Sequence, residues 1–323
     1  MSQIEVDTIL PQSGTTLTLG SSGDTVTIPS GVSLAPGGGL TLTGNFVVDG
    51  GTIKLDGNYP TGTGNVALGN TALDSVEAGA TDNIAIGSNA GTAITTGDQN
   101  IAIGSDALCK TTTGDPNVAI GYASMVCNVT GQYNTAVGYL TLNKNTADCN
   151  TAIGMNTMKS NTTGACNVAI GRNTLDANTT ADSNTAVGTE ALSANTTGTN
   201  NVAVGKSALQ ANTTANNNIA IGLDSLCVNQ TGLKNVAMGT DTLRNNTGGC
   251  NTAIGYLSLT ANTSASNNTS VGACSLNANT TGCHNTAVGF EALNKNTSGC
   301  FNQAVGSFAL GCNTEGCQNV AMG

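Results

Sequence analysis

Small, aliphatic and polar residues recur in a fixed order along the chain from Asn65 onward. The unit Asn-Val-Ala-Leu-Gly at residues 65–69 returns in related form until there are sixteen copies, the last at residues 319–323. The interval between copies is 17 residues in twelve of fifteen steps, 18 after Asn65, and 16 after Asn134 and Asn235. A short fixed period of this kind predicts a stack of similar supersecondary units over residues 65–323.

Numbering each repeat from its Asn shows which positions alternate. Position 2 is Val, Ile or Thr apart from one Gln, position 3 is Ala in all copies but one, position 4 is aliphatic or Met, and position 5 is always Gly. Alternation over positions 2–4 predicts a short strand, and the Leu or Met at position 9 predicts a second strand after a turn at positions 5–7. We therefore expect an all-β solenoid of about 15 coils, with positions 2, 4 and 9 in its interior.

A column of asparagines at position 12 is the most regular polar feature of the repeats. Because stacked coils are separated by about 4.8 Å, identical Asn side chains can hydrogen-bond along the stack. The Asn at position 1 predicts a second column, and the missing residue of the two 16-residue repeats is expected in positions 13–17. The predicted structural ladder comprises Asn128, Asn145, Asn161, Asn178, Asn195, Asn212, Asn229, Asn246, Asn262, Asn279, Asn296 and Asn313.

The alanines at position 3 raise the question of what they face. Side chains alternate along a strand, so position 3 points opposite to positions 2 and 4. If positions 2 and 4 are interior, the alanines form a flat apolar outer face suited to packing against another chain. This interpretation predicts a homo-oligomer, and specifically a trimer. The alternative is that the alanines line a thin interior.

The first 64 residues differ from the repeats in composition and pattern. They contain four of the five prolines and several short alternating segments, such as 16–19, 25–28, 40–42 and 52–55, separated by glycine-rich turns. Strands this short are unstable alone. We therefore expect residues 1–64 to form an attachment end and a short intertwined β-shaft.

Composition narrows the classes of function. Of 323 residues only 9% are charged and 3% aromatic, and the net charge is −10. This balance disfavours binding to nucleic acid or to an anionic membrane. No apolar run reaches the length of a membrane span. The first residues also lack the features of a secretion signal, so we expect the protein not to use the general secretory route.

Candidate chemistry for catalysis is sparse. The single histidine, His284, lies in a loop without a nucleophile pattern, and the carboxylates Asp176, Glu190 and Glu291 stand singly. No phosphate-binding loop occurs among the periodic glycines. The sequence therefore predicts no enzyme, no catalytic residue and no cofactor.

Eleven cysteines are unevenly placed, mostly near the repeat boundaries. Cys283, Cys300 and Cys317 hold equivalent places in successive coils, where the separation of stacked residues is close to that of a disulfide. Packed free thiols and some disulfides both remain open. A metal site is disfavoured, because there is no CxxC pair and only one histidine.

Aromatic residues recur beside the invariant glycine and near the C-terminal coils. Rings on a rigid rod can stack on sugars or fill a partner's pocket, and they also commonly fill subunit contacts. As possible receptor contacts we consider Tyr122, Tyr139, Tyr256, Phe290, Phe301 and Phe308.

Two families resemble the repeats. The Asn-Thr-Ala-Val-Gly core is similar to head repeats of trimeric autotransporter adhesins, which implies a trimer of left-handed β-rolls. The longer unit at residues 184–198 resembles repeats of bacteriophage tail-fibre proteins, and residues 1–9 and 23–29 look like fibre starts in marine and cyanobacterial phages. The resemblance implies a virion fibre assembled in the host cytoplasm. Its N-terminal end would join other virion proteins, and the rod would serve attachment to a glycan or protein on the host surface.

Two other functions remain as alternatives. Position 13 is Thr in most copies, and a regular Thr array on a β-solenoid is typical of ice-binding proteins. The second alternative is a bacterial surface adhesin. Of these three functions we expect that of a virion fibre. We also expect the chain to form a trimer that resists heat and detergent.

Overall fold

The computed structural model of the chain describes residues 62–323, where it forms one parallel β-solenoid. Each repeat contributes one three-residue strand at positions 2–4, and the strands pair in sequence order into a single 16-stranded sheet. Every position pairs with the same position of the next repeat, as in Val202↔Ile219 and Ala203↔Ala220. The strands β1–β16 are, in order, Val66–Leu68, Ile84–Ile86, Ile101–Ile103, Val118–Ile120, Thr135–Val137, Thr151–Ile153, Val168–Ile170, Thr185–Val187, Val202–Val204, Ile219–Ile221, Val236–Met238, Thr252–Ile254, Thr269–Val271, Thr286–Val288, Gln303–Val305 and Val320–Met322.

The stack confirms the predicted β-solenoid of about 15 turns. Fifteen steps at the spacing of paired strands give a rod roughly 70 Å long. The ladder begins just before the first repeat, where Thr63 bridges to Thr81. The predicted attachment end and β-shaft in residues 1–64 lie almost entirely outside the described residues.

The prediction of two strands per coil was wrong. In the described residues the segment after each strand forms consecutive turns, and positions 7 and 9 have positive φ, as at Ser207 (56°) and Leu209 (52°). These turns still connect the coils, because Ser207 N–H donates to Thr189 O in the preceding coil and Leu209 N–H donates to Ser225 O in the following one, both at 3.0 Å. A 17-residue coil has to reverse direction within a few residues, and left-handed backbone reverses more sharply than a strand.

The assignment of interior positions also needs correction. The position 3 alanines are almost all buried, from Ala85 to Ala304, whereas the residues at positions 2 and 4 remain half-buried or exposed. The alanine column therefore lines the interior, and the prediction that it forms an outer face was wrong. Position 9 is interior as expected, and its leucines and methionines are fully buried from Leu73 to Leu293, apart from Gly91. So narrow a coil has room for a methyl group at position 3 and one large side chain at position 9.

An exception in the second coil illustrates how tightly this interior is filled. Gly91 stands where other coils have Leu or Met, and Ile94 stands at position 12, which is Asn in twelve of the other coils. A Cβ on Gly91 would lie 3.0 Å from both Ile94 Cδ1 and Leu73 Cδ2, and Ile94 itself is fully buried. Ile94 thus occupies the volume that the glycine leaves.

The invariant glycine at position 5 permits the close approach of successive coils. From Gly69 to Gly306 these glycines have φ between +124° and +142°, and an added Cβ would lie within 3.0 Å of the backbone of the equivalent glycine in the next coil, as for Gly205 on Gly222. A side chain here would be strained by its backbone conformation and would also force two coils apart.

Candidate functional site

The position 12 asparagines are buried in a continuous column. Ten side-chain hydrogen bonds link Asn145 to Asn313, each from Nδ2 of one residue to Oδ1 of the residue one coil before. The donor–acceptor distances run from 2.6 Å, between Asn178 and Asn161, to 3.5 Å, between Asn229 and Asn212. Asn128 has the same placement, but its Oδ1 has no hydrogen-bond partner. This column holds the coils together inside the rod.

The position 1 asparagines form a second buried column beside the first. The Asn201 backbone N–H donates to Asn184 Oδ1 at 3.0 Å, and this pattern repeats at all fifteen steps. In many coils both asparagine side chains donate to one backbone carbonyl, as Asn184 and Asn195 do to Gly198 O, each at 2.9 Å. Because these amides are used inside the stack, they are structural and do not face a ligand.

The two 16-residue coils lose their residue from the outer loop, as predicted. Asn145 and Asn246 donate to the carbonyl two residues later instead of three, and both remain in the asparagine column. The strands on either side keep their register. In the second of these coils a groove of about 450 Å³ forms beside Lys234 and Cys250.

Threonines at position 13 hydrogen-bond along the outer loop. In ten coils the Thr Oγ1 donates to the position 13 carbonyl of the next coil, with distances from 2.8 Å for Thr162 to 3.3 Å for Thr95. The hydroxyl protons of this column are therefore used within the rod.

The surface that sequence reasoning missed is the outer strand face, which we define as positions 2 and 4 of all coils. Its side chains are aliphatic, Met or Thr except Gln303, and Ile153 and Ile170 remain 39% and 38% exposed. A strip about 70 Å long and about 10 Å wide amounts to roughly 700 Å². Monomeric soluble proteins rarely leave apolar patches of that size uncovered.

Two edges border the outer strand face. We define the leading edge as the residue just before each position 1 Asn, and the trailing edge as positions 6 and 7. The leading edge is left-handed in every coil from β2 onward except where Pro116 occupies it. Both edges vary in sequence from coil to coil, unlike the interior columns.

All six aromatic residues considered as receptor contacts lie on these edges and are exposed. Tyr122 stacks on Tyr139 with centroids 5.4 Å apart, and Phe290 meets Phe308 edge-on at 5.4 Å. Phe301, on the leading edge, stacks on His284 at 4.8 Å. Tyr133, which the sequence analysis did not single out, is exposed on the same edge. Tyr133 could have been found from the sequence, because it occupies the variable position just before a position 1 Asn.

The cysteines are free thiols. Three of them replace a short polar side chain that elsewhere accepts a backbone N–H from the preceding coil, as Asp182 does from Ala165 at 2.7 Å. The sulfurs of Cys283, Cys300 and Cys317 accept such N–H groups at 3.3, 3.1 and 3.1 Å. Burial raises the pKa of the Cys109 and Cys227 thiols.

The remaining polar candidates do not converge on a reactive centre. Glu190 pairs with Arg172 at 3.6 Å, and burial raises the pKa of the Asp176 carboxyl. Within residues 62–323, no group of three or more His, Cys, Asp or Glu side chains is arranged to hold a metal ion. The same residues contain no helix that could cross a membrane.

Comparison with known proteins adds no relative: no protein-family model and no curated protein matches the chain. The function of the chain is therefore inferred from the geometry of the rod and from the two resemblances in its sequence.

Proposed function

We propose that the chain is a structural fibre protein of a bacteriophage virion, a rigid homotrimeric rod that serves attachment to the host surface. The observation that carries the proposal is the outer strand face, a strip along the whole described rod in which position 4 is always aliphatic or Met and position 2 is Val, Ile or Thr apart from Gln303. Its area of roughly 700 Å² is close to the ~800 Å² that each partner buries in a typical stable interface. Three such strips turned towards a common axis would exclude water from all of them.

The rod itself suits a mechanical role. Its columns of buried amides, glycines and leucines repeat without a cleft between them, and its variable residues lie on the surface. The fibre assignment draws further support from the repeat unit at residues 184–198 and the opening residues 1–9, which resemble phage fibres. Attachment to a receptor on the host surface belongs to the same proposal.

Ice binding is less well supported than the fibre. The position 13 threonines are regular, but their hydroxyl protons already donate to carbonyls of the next coil, as Thr280 does to Thr297 O at 3.0 Å. On the outer strand face Thr occurs at position 2 in six coils and at position 4 in none. A two-dimensional Thr array is therefore not formed there.

The assembly part of the proposal is tested with charges on the outer strand face. The variant Ile153→Lys/Ile170→Lys should keep the wild-type circular dichroism spectrum but sediment as a monomer, since buried lysines would oppose association. The matched control, Thr163→Lys/Thr180→Lys, places the same charges on the exposed outer loops of the same two coils and should remain a trimer. A lysine variant of the strand face that still forms trimers would refute this interface.

The proposed location of the chain on a virus particle is tested with a gold-labelled antibody against the rod. Labelling of fibres on virus particles from the same source supports the proposal, and labelling of bacterial cell surfaces alone supports the adhesin. Thermal hysteresis with ice shaping by the purified rod would favour the ice-binding alternative instead.

A further inference from the structure

The aromatic residues of the described chain are confined to the two edges of the outer strand face. All seven Tyr and Phe residues of residues 62–323, and the single histidine, occupy either the leading or the trailing edge. None lies on the outer loops at positions 10–16. This restriction ties the rings to the strand face that they border.

The two edges also match each other within a coil. Each ring on the leading edge introduces a coil whose trailing edge carries another ring. The three matched pairs are Tyr133 with Tyr139, His284 with Phe290, and Phe301 with Phe308. The coil at residues 235–250 carries opposite charges instead, with Lys234 on its leading edge and Asp241 on its trailing edge, although Asp241 also pairs with Arg244 at 3.5 Å in its own chain.

Contacts within one chain do not account for the match. The ring contacts run along the rod between neighbouring coils: Tyr122 to Tyr139, His284 to Phe301, and Phe290 to Phe308. The two members of a matched pair lie on opposite sides of the strand, six or seven residues apart, a span of up to about 20 Å for extended chain. Side chains so placed do not meet across their own coil.

Rotational symmetry brings the two edges together between chains. When parallel rods turn their strand faces towards a common axis, the leading edge of one face meets the trailing edge of the next at the same height. This is a heterologous contact that closes into a ring. An antiparallel pair with facing strand sheets would instead bring like edges together at unlike heights, and matches within a coil would have no role.

We propose that copies of this chain assemble as parallel rods in register, with the leading edge of each copy packed against the trailing edge of its neighbour. The matched rings and the Lys234–Asp241 pair would then fix the register. The inference rests on the oligomeric rod proposed above and names its partner as identical chains in one orientation. It assigns the edge rings to subunit contact, since aromatic residues are enriched at the centres of interfaces and form favourable pairs there.

Photocrosslinking tests the edge contact in the full chain. The substitution Tyr133→p-benzoylphenylalanine exchanges one exposed ring for another, and mixing 15N-labelled with unlabelled chains before assembly marks crosslinks between chains. We expect crosslinks from position 133 to residues around Tyr139 of a second chain. The same probe at Thr180, on an exposed outer loop, should give none.

Other outcomes would contradict one or both of the proposals. Crosslinks from position 133 to the leading edge of the other chain, or no interchain crosslink in an oligomer of verified mass, would overturn the edge contact but leave the oligomeric fibre standing. A monomeric wild-type chain would overturn both proposals.

A double-mutant cycle gives an independent readout. In the assembled protein, Tyr133→Ala and Tyr139→Ala should each raise the dissociation constant. The double variant should be about as weak as the weaker single variant, because both changes remove one contact. As the control, Tyr133→Ala with Tyr256→Ala, in coils far apart, should combine additively. Additive effects for Tyr133 and Tyr139 would contradict the proposal.

Discussion

The interior columns and the outer strand face of the rod are built on the same strands but follow different rules. Positions 1, 3, 5 and 9 hardly vary, because the residue at each packs against its own equivalent one coil away. Position 6 and the leading edge vary in size, polarity and charge, whereas position 2 varies between aliphatic residues, Thr and one Gln, and position 4 varies only among apolar residues. In a stacked solenoid, near-invariance therefore marks the contacts between coils.

The interior columns should govern the stability of the rod, whereas the outer strand face should govern its recognition of other molecules. A change in an interior column disturbs two neighbouring interfaces between coils at once, since each coil is packed on both sides. A change on the outer strand face alters only the contacts that the rod makes with other molecules. The following substitutions test that separation, beginning with the largest expected effect.

The largest loss is expected from Gly205→Ala. The new methyl group would overlap the backbone of Gly222 in a residue with φ of +134°. Gly79→Ala is the control, because Gly79 has a similar φ of +125° but no atom within 4 Å of the added Cβ. We expect Gly79→Ala to cost about 1–3 kcal/mol of unfolding free energy from backbone strain, and Gly205→Ala distinctly more. Urea unfolding followed by circular dichroism measures both, and equal losses would contradict the role of close stacking.

Truncating the interior leucine should come next. Leu209→Ala is expected to lower the free energy of unfolding by about 2–5 kcal/mol, because Leu209 is fully buried between two coils. The same substitution at Leu233, which is 43% exposed on an outer loop, should change it by less than about 0.5 kcal/mol. Comparable losses at the two leucines would remove the distinction between interior and surface.

The asparagine column is tested by Asn195→Ala. The change removes the hydrogen bonds that Asn195 donates to Asn178 Oδ1 and Gly198 O, and it removes one of the two acceptors of Asn212 Nδ2. We expect a loss of about 1–3 kcal/mol, the cost of leaving buried polar groups unsatisfied. Asn245→Ala, on an exposed outer loop, serves as the matched control and should be nearly neutral. A neutral Asn195→Ala would show that the column does not stabilise the stack.

The smallest effect is expected in the outer loop. Thr280→Val retains the shape of the side chain and removes the hydrogen bond to Thr297 O, at a cost of about 0.5–1.5 kcal/mol. Thr281→Val, the adjacent exposed position, should leave the melting temperature unchanged. A lower melting temperature for Thr281→Val alone would reverse this assignment of the two hydroxyls.

Period, strand position and asparagine register could be predicted from the sequence, because each depends on repetition alone. The 16-residue coils were also placed correctly, since Asn145 and Asn246 keep their positions on the near side of the deletion. The alternating side chains of positions 2–4 did not reveal which face of the strand is interior. Alternation separates the two faces of a strand but does not identify the buried one. The Thr at position 2 in six coils and Gln303 are the polar residues that indicate an outer face, while the nearly invariant alanine fits only a narrow interior.

The second strand was predicted because a buried Leu at position 9 follows a glycine. Its left-handed φ could not be foreseen from the side chain, since Leu rarely adopts this conformation. Hydrogen bonds that only the three-dimensional structure shows hold the backbone there: Leu209 N–H donates to Ser225 O in the following coil, and Ser207 N–H, two residues earlier, donates to Thr189 O in the preceding one.

The central claim is that the outer strand face is buried between identical chains. Sedimentation equilibrium of the purified full-length protein at neutral pH tests it most directly, because the chain mass is 31.9 kDa. The account predicts a single species of three times that mass, stable over a wide range of protein concentration. A species of 31.9 kDa that stays folded and soluble at every concentration would contradict it.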